Sequence, residues 1–390
     1  MMVNDIINKL SELLPQQNGT VSLHEPRFQG EEWNYVKDCL DSGWVSSVGS
    51  YVSRFERDLA DYLGVKHAVA VVNGTAALHI SLLLAGVQEK DEVLIPSLSF
   101  VATANAVAYC HALPHFIDVS ARTLGIDSAA LEDYLLEIAE VRAGICYNRL
   151  TGNIIRAVVP MHTFGHPVDM DPLIDVCTRF HIVCVEDAAE SLGSIYKSKH
   201  CGTIGSIGAF SFNGNKIMTT GGGGAIVTND ENIARRAKHI TTTAKQPHPW
   251  NFVHTEVGYN YRLPNINAAL GCAQLEYLPR LVEAKRRLAM KYQAAFELIE
   301  GVSIFQEMPY ARSNYWLNAI ILDQPDEQIR EAILEMTNRK GIMTRPIWTP
   351  LHKLAMYEQM PKMPLKVTES LQNQIINIPS SPHLTGEFYA

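Results

Sequence analysis

The feature that most constrains this chain is an alternation. Short, largely apolar runs rich in β-branched residues recur between longer segments of helical spacing. The runs are His67–Val72, Glu92–Ile95, Leu113–Ile117, Ala157–Pro160, Ile182–Val185, Ala209–Phe212 and Ala225–Val227. A strand that is hydrophobic along its length, rather than on every second residue, is covered on both faces. Helical segments between such strands predict an α/β fold with a mainly parallel, seven-stranded type of sheet and right-handed crossovers.

The pattern changes after about residue 250. A charged amphipathic helix is expected from Pro279 to about Ile299, strands at Val302–Phe305 and Trp316–Leu322, and a helix from Asp326 to about Lys340. This predicts a smaller α+β domain over residues 251–390, beside a larger one over residues 20–250. Residues 1–19 are expected to pack on the smaller domain. There Ile6, Ile7, Leu10, Leu13 and Leu14 share one helical face, with polar residues between them, which is unlike a signal peptide.

Composition narrows the function classes. With 47% hydrophobic and 19% charged residues, a sizeable core is expected. The net charge is -8 and no basic patch stands out, so neither nucleic acid nor a membrane surface is an expected partner. The longest apolar runs, such as Ile80 to Gly86, are far too short to span a bilayer. Seven scattered cysteines form no C-x-x-C pair, which suits neither a disulfide framework nor zinc and fits a reducing cytoplasm.

Three segments offer chemistry. At Val72-Asn73-Gly74-Thr75-Ala76 a buried strand ends and a helix begins, exposing N–H groups that favour an anion. Alone, this is more often an ordinary capped turn. Val185-Glu186-Asp187 delivers two carboxylates at a strand end, where ligands of open α/β sheets bind. Alone, Asp187 reads as well as a helix cap. Ser211-Phe212-Asn213-Gly214-Asn215-Lys216 precedes four consecutive glycines, Gly221 to Gly224, which permit close approach of backbone to a ligand. Burial of a lysine lowers its pKa and frees a neutral amine for Schiff-base chemistry. Alone, Lys216 is a surface lysine beside a loop. Neither G-x-x-x-x-G-K-[ST], H-E-x-x-H nor G-x-S-x-G occurs.

Taken in this order, with Pro96-x-x-Ser99-Phe100-x-Ala102-Thr103 and Gly258-Tyr259-Asn260-Tyr261-Arg262, the motifs resemble the fold-type I pyridoxal phosphate (PLP) enzymes. More narrowly, they resemble the DegT/DnrJ/StrS family of nucleotide-sugar aminotransferases, over about Val21 to Pro382. The resemblance implies that Lys216 binds the cofactor covalently and later shuttles a proton. It implies Asp187 as the partner of the ring nitrogen and Phe100 as the stacking aromatic. Gly74, Thr75, Ala76 and Ser211 become phosphate contacts. Asn260 reaches the phosphate of a neighbouring subunit, so a homodimer with shared sites is expected. His162 lies where relatives carry a histidine near the cofactor.

One residue departs from the pattern. Glu190 stands where most relatives carry Gln, near the cofactor hydroxyl. A dehydratase branch replaces the lysine with His; here Lys216 is present, which favours amino transfer. The resemblance further implies glutamate as donor and, through Thr20–Pro26, Gly43–Gly49 and Arg345–His352, a UDP-linked 4-keto-6-deoxy-N-acetylhexosamine as acceptor. Trp44, Trp348, Arg345 and His352 are the candidates for contacts with sugar, base or diphosphate. The rivals are a PLP-dependent dehydratase or epimerase, and a regulatory protein that keeps the fold.

Overall fold

A computed structural model describes residues 2–14 and 19–386. Met1, residues 15–18 of the N-terminal segment and residues 387–390 lie outside the described residues.

All seven expected runs are strands of one sheet. Their order across it is His67–Val71, Gly224–Thr228, Ile207–Ser211, Val183–Asp187, Ile155–Val158, Glu92–Pro96 and Leu113–Ile117. The last five pair in parallel, while Gly224–Thr228 runs antiparallel to both its neighbours. Six strands therefore share one direction, and their C-terminal ends form a single edge. That edge carries Asn73, Ser97, Pro160, Asp187 and Phe212, just where open α/β sheets hold ligands. Val71, Val93, Ile95, Ala157, Val185, Ala209 and Ile226 are buried under the helices, as unalternating apolar strands require.

The four-glycine run has a structural reason. A Cβ on Gly224 would lie 2.5 Å from the Asn73 carbonyl oxygen, and one on Gly223 would lie 2.1 Å from Thr220 Oγ1. The close approach expected of a ligand is, at these two positions, an approach of one part of the chain to another. It lets the reversed strand insert beside His67–Val71.

The smaller sheet is antiparallel, in the order Val302–Ile304, Asn318–Leu322, Ile375–Ile378 and Arg345–Pro346. Ile6, Leu10 and Leu14 of the first helix, Met2–Leu13 and the residue after it, pack with its residues Ile304, Ile320 and Ile376. The long helix differs from expectation. It spans Asn265–Phe296, starting 14 residues before Pro279 and running through it. An internal proline costs about 3 kcal/mol. Leu275, Leu278, Leu281 and Val282, all buried around the proline in one core, offset that cost. Farther along, Leu288, Tyr292 and Phe296 enter the core of the smaller sheet.

Candidate active site

Lys216 is the centre of the polar cluster at the sheet edge. Its side chain is 13% exposed, and Nζ lies 3.2 Å from Glu190 Oε1 and 3.9 Å from the centroid of the Trp316 ring. The Trp316 indole N–H donates to the Asn215 carbonyl at 2.7 Å, so the ring is fixed to the residue before the lysine. The other carboxylate oxygen, Glu190 Oε2, accepts from the Phe164 N–H at 2.9 Å. Phe164 adopts φ 56°, a left-handed conformation that is uncommon for a bulky residue, and it aims its N–H into the site. Burial pushes the Glu190 pKa up, while the Lys216 charge and the Phe164 N–H pull it back.

Asp187 ends its strand 3% exposed. Thr103 Oγ1 donates to its Oδ2 at 2.8 Å, and the Ala189 N–H donates to Oδ1 at 3.2 Å. Burial is the foremost influence and raises its pKa; the Thr103 hydroxyl, the Ala189 N–H and the Lys216 charge oppose it. The adjacent Glu186 faces the other way, as alternation along a strand demands. It accepts the N–H groups of Gly202, Ile204 and Gly205 and binds His162 Nε2 at 2.9 Å.

At the same edge, Asn73 caps the Gly74–Leu84 helix by accepting the Ala76 N–H at 2.7 Å. A Cβ on Gly74 would come within 2.7 Å of Ser211 Cβ. The helix N-terminus, half-buried Thr75 and the Ser211 side chain thus meet at one place, as an anion site requires. Phe100 opens the next helix as a residue 49% exposed, its ring 6.4 Å from the Trp348 ring. Trp348 in turn lies 5.2 Å from Phe164. Trp348, Arg345, His24, Asn215 and Trp316 line one cavity of about 600 Å³.

Not every expected residue joins this group. His162 is fully buried, its ring spent on Glu186 and on the Val168 N–H, so it supports the strand end and does not line the cavity. His352 is tucked against Ser97, with Nδ1 2.7 Å from its hydroxyl, because the chain turns inward after Pro350. Trp44, 59% exposed, lines a different cavity of about 670 Å³ with Val48, Gly49 and Arg262. Asn260 is exposed on a segment that flanks the edge strand, where Tyr261 accepts the Val72 N–H. Trp316 was expected only as a strand residue, and Thr103 and His24 only as parts of motifs. No periodicity marks Trp316, because its role comes from a contact 100 residues distant.

Residues 26–389 match the DegT/DnrJ/EryC1/StrS aminotransferase family. The chain belongs to this family. It is 36% identical over 366 residues to the GDP-perosamine synthase of Caulobacter vibrioides, covering 94% of each chain. Among solved structures it resembles Helicobacter pylori PseC, an aminotransferase involved in the biosynthesis of pseudoaminic acid. That match has 26% identity and a TM-score of 0.83, over 92% of this chain and 93% of that one. The PLP form of Spr1654 from Streptococcus pneumoniae shares the fold at 22% identity, with a TM-score of 0.82 over 93% of each chain. The protein is a sugar aminotransferase whose cofactor is pyridoxal phosphate. The residues fit that group: an amine on Lys216, a buried carboxylate on Asp187, and an anion cradle at Gly74 and Ser211 converge on one edge.

Proposed function

We propose that the protein transfers an amino group, from glutamate, to a nucleotide-linked 4-keto-6-deoxy sugar. The observation that carries this reading is that Lys216, Asp187 and the Gly74–Ser211 cradle share one sheet edge, with the Trp316 ring over Lys216 Nζ and lining the neighbouring cavity.

When bound, pyridoxal phosphate supplies an aldehyde that condenses with amines and a ring that accepts the electron pair of a breaking C–H bond. Lys216 would hold it covalently through Nζ, and the same amine, when free, would carry a proton away from the donor Cα. Asp187, oriented by Thr103, would pair with the ring nitrogen and favour its protonated form. The N–H groups at Gly74 and Thr75, with Ser211, would bind the phosphate, whereas the Ala76 N–H is already given to the Asn73 cap. Phe100 would stack on the cofactor ring, and Trp316 covers Lys216 Nζ. Glu190 anchors Lys216 before the cofactor is loaded. Arg345, exposed at the cavity rim, is placed to meet the diphosphate.

A homodimer is part of this reading. Asn260 is exposed and reaches no group of its own cradle, and the nearby segment exposes Trp250, Phe252 and Val257 by 75%, 77% and 85%. Large exposed apolar side chains grouped this way mark an interface. For the nucleotide, the motifs favour a UDP-linked N-acetylhexosamine. A GDP-linked sugar is the second reading, favoured by relatives 36% identical that are named GDP-perosamine synthase.

The test is a panel of UDP-, GDP- and dTDP-linked 4-keto-6-deoxy sugars incubated with glutamate, with products identified by mass. Formation of one amino sugar with matching release of 2-oxoglutarate supports the proposal. Dehydrated or epimerised sugar without amine transfer contradicts it.

A further inference from the structure

Residues 313–316 are held in place at a cost. Tyr315 adopts φ 48°, a left-handed conformation that strains a bulky side chain. Asn314 Oδ1 accepts the Trp316 backbone N–H at 2.8 Å, while its amide group donates to the Glu190 and Leu192 carbonyls at 2.9 Å each. Lys285, fully buried and paired with no carboxylate among the described residues, donates to the Trp316 carbonyl at 3.0 Å and to the Ser380 carbonyl. Burying an amine without a counter-charge is expensive. The indole N–H is given to the Asn215 carbonyl at 2.7 Å.

Packing alone does not call for these restraints. A core tryptophan needs neither a strained neighbour nor a buried amine on its carbonyl. What they fix is the ring, and the centroid of its face lies 3.9 Å from Lys216 Nζ. Nζ therefore has two partners of different chemistry. Glu190 Oε1, 3.2 Å away, attracts a cationic amine and can also take its proton. An aromatic face attracts the cation through its quadrupole but has no basic site. In amino transfer a lysine amine accepts the proton of the donor Cα, and the C–H electron pair passes toward the cofactor. The lysine then gives that proton up to the cofactor. A cation on a π face keeps its proton for the second transfer, whereas one on a carboxylate can lose it.

We propose that Trp316 is a positioning residue for proton transfer: its ring face holds the freed, protonated Lys216 amine at the sheet edge and limits its pairing with Glu190. This inference rests on the aminotransferase reading of the site. It accounts for the strain at Tyr315 and the buried Lys285 as the means by which one ring is kept over one amine.

Three forms of the full-length protein are compared with wild type: Trp316→Leu, Trp316→Phe, and a series with fluorinated tryptophan placed site-specifically at Trp316. Fluorine withdraws negative charge from the ring face and leaves its shape and N–H in place. The first readout needs no turnover. In cofactor-free protein carrying isotope-labelled lysine, the Lys216 ε-methylene signal is assigned by its loss in Lys216→Ala. The ring current should shift it upfield, and Trp316→Leu should return it to the ordinary lysine position. The second readout is the single-turnover reaction of the holoenzyme with glutamate, followed by absorbance, with protium or deuterium on the donor Cα. Trp316→Leu should slow it about tenfold. It should also raise the isotope effect and leave glutamate affinity unchanged. Trp316→Phe should recover most of the rate, and added fluorines should lower it stepwise; this series decides the matter even where Trp316→Leu does not fold. A Lys216 signal without an upfield shift, a rate indifferent to fluorination, or equal slowing in the leucine and phenylalanine variants overturns the proposal. A wild type that takes an amino group from no amino acid refutes the functional reading and this role with it, and is told apart because the ring-current shift persists.

Discussion

At the scale of single residues, Asp187 and Glu190 give the clearest consequences. Burial raises the folded-state pKa of Asp187 above its ordinary value near 3.9. A group of this kind contributes stability below its unfolded pKa and loses it as pH rises through the folded value. In the cofactor-free protein at pH 7 the carboxylate is therefore a cost. Asp187→Asn should raise the cofactor-free melting temperature at pH 7, with the gain shrinking as the pH is lowered toward 4. The same substitution should reduce turnover by about 10²–10³, because the cationic ring loses its counter-charge. A thermal-shift series against pH, with and without cofactor, checks both signs. Glu190→Gln keeps the acceptor for Phe164 but removes the charge beside Lys216. It should shift the pH profile of the first half-reaction while preserving the fold, as single-turnover absorbance will report.

The residue scale also shows where sequence reasoning reached its limit. Asp187, Gly74 and Ser211 could be placed from the sequence because each sits at a strand end or helix start, and strand ends can be read from apolar runs; Lys216 lies in the loop that follows Ser211. Trp316, Phe164 and Asn314 were not. Asn314 ties the Glu190 and Leu192 carbonyls at 2.9 Å each, across more than 120 residues. Such contacts have no local signature. Trp44 and His352 lie outside the Trp316 cavity for a related reason: an aromatic or a histidine in a motif does not reveal which way the chain turns its side chain.

At the scale of elements, the Gly74–Leu84 helix carries the anion cradle and depends on two local devices. Asn73→Ala removes the cap and should cost about 1 kcal/mol of stability. It should also weaken cofactor retention, measured by dialysis of the holoenzyme. Gly74→Ala puts a methyl within 2.7 Å of Ser211 Cβ, so helix and strand must move apart. Cofactor affinity should fall by more than in Asn73→Ala, although alanine is the better helix former. The seven strands of the large sheet were legible to within two residues, because burial on both faces leaves little choice of residue type. The Asn265–Phe296 helix was not legible at its start, since a proline at residue 279 is locally a first-turn signal. Packing on both sides of it overrides that signal.

At the scale of the whole molecule, no helix among the described residues is long and apolar enough to cross a membrane. The exposed Trp250, Phe252 and Val257 and the position of Asn260 support the proposed dimer. Sedimentation should give twice the 43.4 kDa chain mass, and Trp250→Ser with Phe252→Ser should shift the protein toward monomer and lower cofactor affinity together. A monomeric wild type with full cofactor occupancy would contradict shared sites.

The central claim is that Lys216 is the lysine that carries the cofactor, and peptide mass mapping after borohydride reduction of the holoenzyme tests it most directly. The account predicts a phosphopyridoxyl group on the peptide containing Lys216, and none in Lys216→Ala. A label on the fully buried lysine, Lys285, or near-normal turnover in Lys216→Ala would contradict it.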